Sequence, residues 1–78
     1  MKRALIVGVT GQDGAYLSQY LLDMGYEVFG TTRRIDNDRL ASLKALDIDH
    51  RININELNLI DIEQVRLIIQ KIRPSEIY

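Results

Sequence analysis

The sequence predicts an α/β fold in which helices cover both faces of a parallel sheet. Three observations predict it. Strand-like and helix-like segments alternate along the whole chain in the order β-α-β-α-β-α-β, and a glycine-spaced turn joins the first strand to the first helix. The 78 residues are 46% hydrophobic and 27% charged, as in an ordinary globular domain. Right-handed crossovers would give the strand order 3-2-1-4, the first half of a Rossmann-type fold.

The first unit is a short apolar strand followed by an amphipathic helix. The run from Arg3 to Val9 is a continuous apolar segment that contains β-branched residues, which is typical of a buried parallel strand. From Asp13 the pattern becomes helical, and Gly25 stands where a helix ends. Apolar residues at i, i+3, i+4 and i+7 predict the buried stripe of this helix: Leu17, Tyr20, Leu21 and Met24.

The middle of the chain repeats the strand-then-helix pattern. Residues 27–32 predict a second strand, and the polar residues 33–38 predict a loop. A short helix then presents three leucines on one face: Leu40, Leu43 and Leu46. Residues 51–57 alternate between apolar and polar side chains and predict a third strand.

A third helix and the beginning of a fourth strand complete the pattern. Asp61 is predicted as the helix N-cap, with Gln64 as its capping-box partner. The apolar stripe of this helix is predicted to comprise Ile62, Val65, Ile68, Ile69 and Ile72. Arg73 and Pro74 end the helix, and residues 76–78 begin a strand.

The most informative segment is the turn Gly8-Val9-Thr10-Gly11-Gln12-Asp13-Gly14. A helix that begins after a tight turn offers unpaired N–H groups and a positive dipole end to a phosphate. Glycines spaced as G-x-x-G-x-x-G would permit the turn, the approach of a diphosphate and close packing of the helix. The other interpretation is a glycine-rich loop that only turns the chain. We expect residues 1–78 to be the N-terminal part of a dinucleotide-binding domain, with the remainder of that domain and a substrate domain outside it.

The end of the second predicted strand suggests which dinucleotide would bind. Arg33 and Arg34 follow that strand, and a guanidinium pairs well with the 2′-phosphate of NADP. Two alternatives remain at this stage: both arginines could be solvated loop residues, or Asp36 could bind the ribose of NAD. After the third strand, Asn58 is predicted to bond the adenine edge and Leu59 to pack on its face, although Leu59 could equally belong to the core.

Composition excludes several other kinds of site. The formal net charge of −1 argues against a general nucleic-acid or membrane surface, and the chain has no cysteine for disulfides or thiolate ligands. The single histidine, His50, is predicted to be a surface residue without a metal-spaced partner. No tyrosine is followed four residues later by lysine. We therefore assign no catalytic residue and no metal ligand.

The glycine loop with its Gln12-Asp13 pair resembles the extended short-chain dehydrogenase/reductases and, within them, the GDP-mannose 4,6-dehydratases. The similarity continues at Gly25-Tyr26-Glu27-Val28, at Arg33-Arg34 and at Arg73–Tyr78. It spans the whole chain but only the N-terminal part of the family's chain. The sequence departs from the family where Ile35-Asp36 replaces serines and where Asn58 replaces aspartate.

The resemblance implies an enzyme that binds NADP and a nucleotide sugar such as GDP-mannose, with catalytic residues beyond Tyr78. It implies a lyase reaction: internal hydride transfer with loss of water, giving GDP-4-dehydro-6-deoxy-mannose. A homo-oligomer in the cytoplasm is expected, with neither nucleic acid nor membrane as partner. The cofactor-binding residues expected are Gly8, Thr10, Gly11, Gln12, Asp13, Gly14, Arg33, Arg34, Asn58 and Leu59. The alternatives are an NADP-dependent nucleotide-sugar reductase or epimerase of the same family, or a non-catalytic NADP-binding module.

Overall fold

The computed structural model describes residues 2–78. It has the predicted order of strands and helices, with one short 3-10 turn added before the third strand. The strands are β1 (Arg3–Ile6), β2 (Glu27–Thr32), β3 (Asn53–Glu56) and β4 (Glu76–Ile77). The helices are α1 (Gln12–Asp23), α2 (Ala41–Ala45) and α3 (Ile62–Ile72), and the 3-10 turn covers Asp49–Arg51.

The four strands form one parallel sheet in the order β3-β2-β1-β4, which confirms the predicted topology. Ile6 pairs with Gly30 across β1 and β2, and Thr32 pairs with Glu56 across β2 and β3. The carboxyl ends of these three strands therefore lie along one edge. The chain leaves β1 toward β2 on one side, and β4 pairs with β1 on the other side. In such sheets, ligands bind beside this switch in direction.

The main core lies between the sheet and the two helices α1 and α2. Side chains alternate along each strand, so Ala4 and Ile6 face this core whereas Leu5 faces the other side of the sheet. The buried residues of the core cluster are Ala4, Ile6, Val9, Ala15, Leu21, Val28, Leu43, Ile48 and Ile52. Leu40 and Leu46 pack against it in part, so the predicted leucine face of α2 is confirmed.

Helix α3 lies on the opposite face of the sheet. The connection from β3 to β4 crosses the sheet in the reverse direction, so a right-handed crossover places its helix on that face. Leu5 and Ile72 are buried there, outside the main core cluster. Arg3 Nη1 donates to the Ile72 carbonyl at 2.9 Å and ties the end of α3 to β1. The prediction of helices on both faces is confirmed.

Two strands are shorter than predicted. β1 ends at Ile6 instead of Val9, because residues 7–10 turn away to begin the approach to α1. Val9 is still fully buried, which explains why the apolar run continues past the strand. β3 begins at Asn53 instead of Arg51, because the residues before it form the 3-10 turn.

The predicted buried stripe of α1 is wrong in part. Leu21 is buried, but Tyr20 and Met24 are 61% and 57% exposed. The side chains that α1 buries are mostly small, at Ala15 and Ser18. At Gly14 the helix lies so close to the turn after β1 that the first side chains it buries are small. Tyr20 and Met24 lie on its outer face, whereas Leu17 and Leu22 pack in part against the core.

Helix α3 also departs from the prediction at its beginning. Asp61 is the N-cap as predicted, and its side chain accepts from the N–H groups of Glu63 and Gln64. Gln64 does not close a capping box, because its Oε1 accepts from Asn58 N–H at 3.2 Å. Ile62 is 77% exposed, so it is not part of the buried stripe. Among residues 2–78, α3 is the only helix on its face, and no neighbouring helix covers its first turn.

Candidate cofactor-binding site

The turn between β1 and α1 is shaped by Gly8 and held against the end of β2. Gly8 has a φ of +75°, a left-handed conformation that costs glycine little and other residues more. Its N–H donates to Thr31 Oγ1 at 3.2 Å, and Val9 N–H donates to the Thr31 carbonyl at 2.9 Å. These bonds fix where the chain enters α1.

Gly14 allows α1 to begin in contact with this turn. A Cβ added to Gly14 would lie 2.8 Å from the Val9 carbonyl oxygen and 3.0 Å from that of Gly8. Real Cβ atoms do not approach carbonyl oxygens this closely, so a larger residue would push the helix away. At Gly11 an added Cβ would meet only the Gly8 oxygen, at 3.7 Å. Gly11 therefore leaves space above the helix instead of allowing close packing.

The first turn of α1 opens onto a cavity. Its N-cap is Gly11, which has no side chain to bond the first amides, and no described side chain accepts from the N–H of Gln12 or Asp13. The helix dipole adds partial positive charge at this end. The cavity has a volume of about 420 Å³ and is lined by Ile6, Val7, Gly8, Gly11, Gln12, Asp13, Gly14, Leu17 and Tyr78. The geometry suits an anion such as a phosphate.

Two side chains of the loop have other partners or the wrong charge for an anion. Thr10 Oγ1 lies 3.4 Å from Thr32 Oγ1, so this hydroxyl links the loop to β2. Asp13 is in the first helical turn, where its negative charge complements the helix dipole. Because a carboxylate repels a phosphate, Asp13 could contact one only through its main-chain N–H.

The two arginines after β2 have different environments. Arg33 is exposed and lines a second cavity, whereas Arg34 Nε pairs with Asp36 Oδ2 at 3.1 Å. Asp36 Oδ1 also accepts from Arg39 N–H at 2.8 Å, and Arg39 Nε lies 3.9 Å from Oδ2. The hydrogen bond from the Arg39 amide is the main reason that the pKa of Asp36 lies below its ordinary value, and the Arg34 side chain lowers this pKa further. Asp36 is therefore a charged partner of the arginines at neutral pH.

The second cavity lies after β3 and has a volume of about 470 Å³. It is lined by Arg33, Asn58, Leu59 and Ile60. Asn58 Oδ1 accepts from Ile60 N–H at 3.0 Å, which shapes the turn and presents Leu59 beside the cavity. Leu59 is 53% exposed, so the alternative that placed it in the core is wrong. The structure thus brings Arg33, Asn58 and Leu59 to one cavity and directs Arg34 to Asp36.

Five cavity-lining residues were not among the predicted ones. Ile60 lines the cavity after β3, and four others line the cavity at the first turn of α1: Ile6, Val7, Leu17 and Tyr78. Tyr78 reaches its position because β4 pairs with β1, and Val7 N–H donates to the Tyr78 carbonyl at 3.0 Å. The predicted strand order could have indicated this proximity. No sequence signal indicates Ile60, whose position depends on the turn that Asn58 stabilises.

A group of tyrosines surrounds Glu76 at the edge of the sheet. The Tyr78 hydroxyl donates to Glu76 Oε1 at 3.1 Å. The nearby Glu76 carboxylate, and burial, raise the pKa of Tyr26 to about 12. Tyr26 in turn, more than Tyr78, holds the pKa of Glu76 below its ordinary value. Glu76 is therefore ionised at neutral pH and helps to fix the ring of Tyr78.

The structure also places His50 beside two carboxylates. His50 Nδ1 lies 3.9 Å from Asp47 Oδ1 and 3.8 Å from Asp49 Oδ1. The expectation that His50 lies at the surface is confirmed, but it does have acidic neighbours at a spacing that could hold a metal ion. Within residues 2–78, no helix is both long and apolar enough to cross a membrane.

Comparison with known proteins identifies a family. The model of the family described as GDP-mannose 4,6 dehydratase matches residues 5–78. The chain is 41% identical over 83 residues to GDP-mannose 4,6 dehydratase 2 of Arabidopsis thaliana, covering 99% of this chain and 22% of that protein. It is 37% identical over 81 residues to the GDP-mannose 4,6 dehydratase of Homo sapiens, covering 96% of this chain and 22% of that one. The chain thus spans about a fifth of the length of these relatives.

Solved structures share the fold. The Bordetella bronchiseptica enzyme WbmH, solved in complex with NAD+, superposes with a TM-score of 0.74 at 23% identity, over 99% of this chain and 24% of that one. A short-chain dehydrogenase from Streptomyces avermitilis superposes with a TM-score of 0.67 at 26% identity, over 90% of this chain and 25% of that one. The sequence match, together with a Rossmann-type half-sheet that these enzymes share, shows that the chain belongs to the GDP-mannose 4,6-dehydratase family.

Proposed function

We propose that this chain holds the adenosine diphosphate half of NADP in a GDP-mannose 4,6-dehydratase. The observation that carries the proposal is the uncapped first turn of α1, which faces the cavity beside Gly8 and Gly11. The first three strands and two helices form the mononucleotide-binding half of a doubly wound sheet. The contacts proposed for that half of the cofactor all come from residues of this chain.

The diphosphate would lie on the main-chain amides of Gln12, Asp13 and Gly14. These groups offer fixed donors, and they need no rearrangement to meet an anion. Gly8 supports this by turning the chain under the site, and Gly11 supports it by leaving no side chain above the helix. The donor set therefore fits a diphosphate.

The adenosine part would extend from the first cavity toward the ends of β2 and β3. Arg33 lines the cavity after β3 and is the guanidinium best placed for a 2′-phosphate, with Arg34 as its second partner. Leu59 is exposed beside the same cavity and offers an apolar surface for the adenine ring. Asn58 would bond the adenine edge through its side-chain amide, whose oxygen can accept one bond beyond that from Ile60.

For the whole protein, we propose the reaction named by the family. When bound, NADP supplies reversible hydride transfer, so that GDP-mannose can be oxidised at C4, lose water across C5–C6 and be reduced at C6. The contribution of the present residues is positional: they would anchor the cofactor so that its reactive ring is oriented for hydride transfer. The net reaction makes the proposed enzyme a lyase. A homo-oligomer and a cytoplasmic location remain predictions of the resemblance.

Substitution of both arginines tests the assignment of NADP. Arg33→Ala with Arg34→Ala should weaken NADP binding by about tenfold or more, because hydrogen bonds to a charged group contribute about 1.5–3 kcal/mol. Binding of NAD, which has no 2′-phosphate, should change by less than about twofold. Titration calorimetry of the 78-residue chain with each dinucleotide measures both effects.

A matched control is Arg66→Ala, which removes an exposed arginine of α3 that pairs with Glu63 at 2.7 Å. This variant has one positive charge fewer but keeps the arginines after β2. It should leave the ratio of NADP affinity to NAD affinity unchanged. Equal losses of NADP and NAD affinity in the double variant would contradict recognition of the 2′-phosphate.

A further inference from the structure

The carboxylate of Asp36 holds together the loop that follows β2. Oδ1 accepts from Arg39 N–H at 2.8 Å, and Oδ2 pairs with Arg34 Nε at 3.1 Å. The Asp36 carbonyl accepts from Leu40 N–H at 3.1 Å, just before α2 begins. Asp36 is therefore both a structural anchor and a fixed negative charge beside a guanidinium.

The backbone of the same loop is fixed from two sides. Thr32 Oγ1 donates to the Arg34 carbonyl at 3.2 Å, and Ile35 N–H donates to Glu56 Oε1 at 3.1 Å. With its main chain held in this way, the Arg34 side chain can change partner by rotation alone. It is 72% exposed and has room to do so.

Arg33 has no comparable restraint among the described residues. It forms no ion pair within residues 2–78 and lines the cavity that also contains Asn58 and Leu59. Arg33 thus faces the proposed ribose site, whereas the adjacent Arg34 pairs with the Asp36 carboxylate.

We propose that Asp36 lowers the preference for a 2′-phosphorylated nucleotide, because its carboxylate competes with the 2′-phosphate for the Arg34 guanidinium. This inference rests on the proposed function. A guanidinium that pairs with Asp36 through Nε must break or share that pair to bond phosphate oxygens. A nucleotide without a 2′-phosphate makes no such demand. Asp36 therefore weakens binding of the 2′-phosphorylated form selectively, and the chain discriminates less than its two arginines would allow.

The test uses Asp36→Asn and two small probes. Asparagine keeps the oxygen that accepts from Arg39 N–H but removes the charge that holds Arg34. Adenosine 2′,5′-bisphosphate differs from AMP only by its 2′-phosphate. Exposed ion pairs contribute little, so the expected gain for the bisphosphate is about two- to fivefold, with AMP affinity unchanged. Titration calorimetry of the 78-residue chain gives both dissociation constants.

Asp38→Asn is the matched control. Asp38 lies two residues away, is exposed and forms no ion pair within residues 2–78. Its substitution changes net charge by the same amount without releasing an arginine. If a general charge effect were the cause, Asp38→Asn would strengthen bisphosphate binding as much as Asp36→Asn does, and the inference would be overturned.

Arg34→Gln provides the second arm. In that background Asp36→Asn should give no gain, because no guanidinium remains to be released. A gain of the same size with and without Arg34 would also overturn the inference.

Circular dichroism spectra of all variants, compared with that of the parent chain, identify any loss of fold. If Asp36→Asn does not fold, the single variant Arg34→Gln still tests the inference. Because Asp36 already occupies Arg34, the affinity of this variant for the bisphosphate should fall by no more than about fivefold. A larger loss would contradict the proposed competition.

Different results would contradict the proposed recognition of NADP and the proposed competition by Asp36. If the unsubstituted chain binds adenosine 2′,5′-bisphosphate no more tightly than AMP, the proposed recognition of NADP is wrong. If the chain prefers the bisphosphate but Asp36→Asn leaves that preference unchanged, NADP recognition stands and the competition by Asp36 is wrong.

Discussion

Gly14 shows how one residue can determine whether α1 packs against β1. The space at its Cα is closed by the Val9 carbonyl oxygen, 2.8 Å from where a Cβ would lie. Glycine at this position was predicted from spacing alone, as the residue that permits a close helix. The structure adds the atom that a larger side chain would meet.

Gly14→Ala should destabilise the chain by about 1–3 kcal/mol, because the added methyl group overpacks against main-chain atoms that cannot move aside easily. Gly11→Ala is the matched control. Its Cβ would meet only ordinary contact at 3.7 Å, and its backbone is already extended, so its cost should stay below about 1 kcal/mol. Urea unfolding followed by circular dichroism measures both changes. Equal destabilisation by the two substitutions would contradict the packing role of Gly14.

Individual side-chain roles were harder to predict where they depend on a turn. The N-cap Asp61 follows from its type and position, since an aspartate before an apolar helical stripe has one common use. The partner of Gln64 could not be predicted, because it is a main-chain N–H in the preceding turn. The pairing of Asp36 with Arg34 could not be predicted either, because sequence position does not distinguish two adjacent arginines as its partner.

At the scale of elements, the apolar pattern of α1 does not distinguish the buried face of the helix from its exposed face. Periodicity assigned Tyr20 and Met24 to the core, yet both are exposed, and Ser18 is buried instead. Ser18 is accommodated because its Oγ donates to the Gly14 carbonyl, which satisfies the hydroxyl inside the helix. Apolar periodicity identified the helix correctly but not the orientation of its buried face, which the close contact at Gly14 determines.

Paired substitutions in α1 test this orientation. Leu21→Ala removes a buried side chain and should cost about 2–5 kcal/mol, enough to unfold most of so short a chain. Met24→Ala shortens an exposed side chain and should change stability by less than about 0.5 kcal/mol. Thermal unfolding followed by circular dichroism compares the two. A larger loss for Met24→Ala than for Leu21→Ala would mean that the helix packs through its other face.

At the scale of the molecule, the topology was the most predictable feature. Alternating strands and helices require crossovers, and their fixed hand leaves the order β3-β2-β1-β4 as the expected arrangement. The location of the candidate site follows from the same argument, because the loops after β1, β2 and β3 meet at one edge. The shape of the site within that edge could not be predicted. It depends on the Asn58 turn and on the loop that Asp36 anchors, where short-range hydrogen bonds between polar groups fix a main chain that has no periodic pattern.

The central claim is that the main-chain amides at the beginning of α1 hold the diphosphate of a dinucleotide. The most direct measurement is an NMR titration of the ¹⁵N-labelled 78-residue chain with NADP. We predict saturable shifts of the amides of Gln12, Asp13 and Gly14, with smaller shifts at Arg33 and Asn58. Saturable binding that leaves the first turn of α1 unshifted, or no binding at millimolar NADP, would contradict the claim.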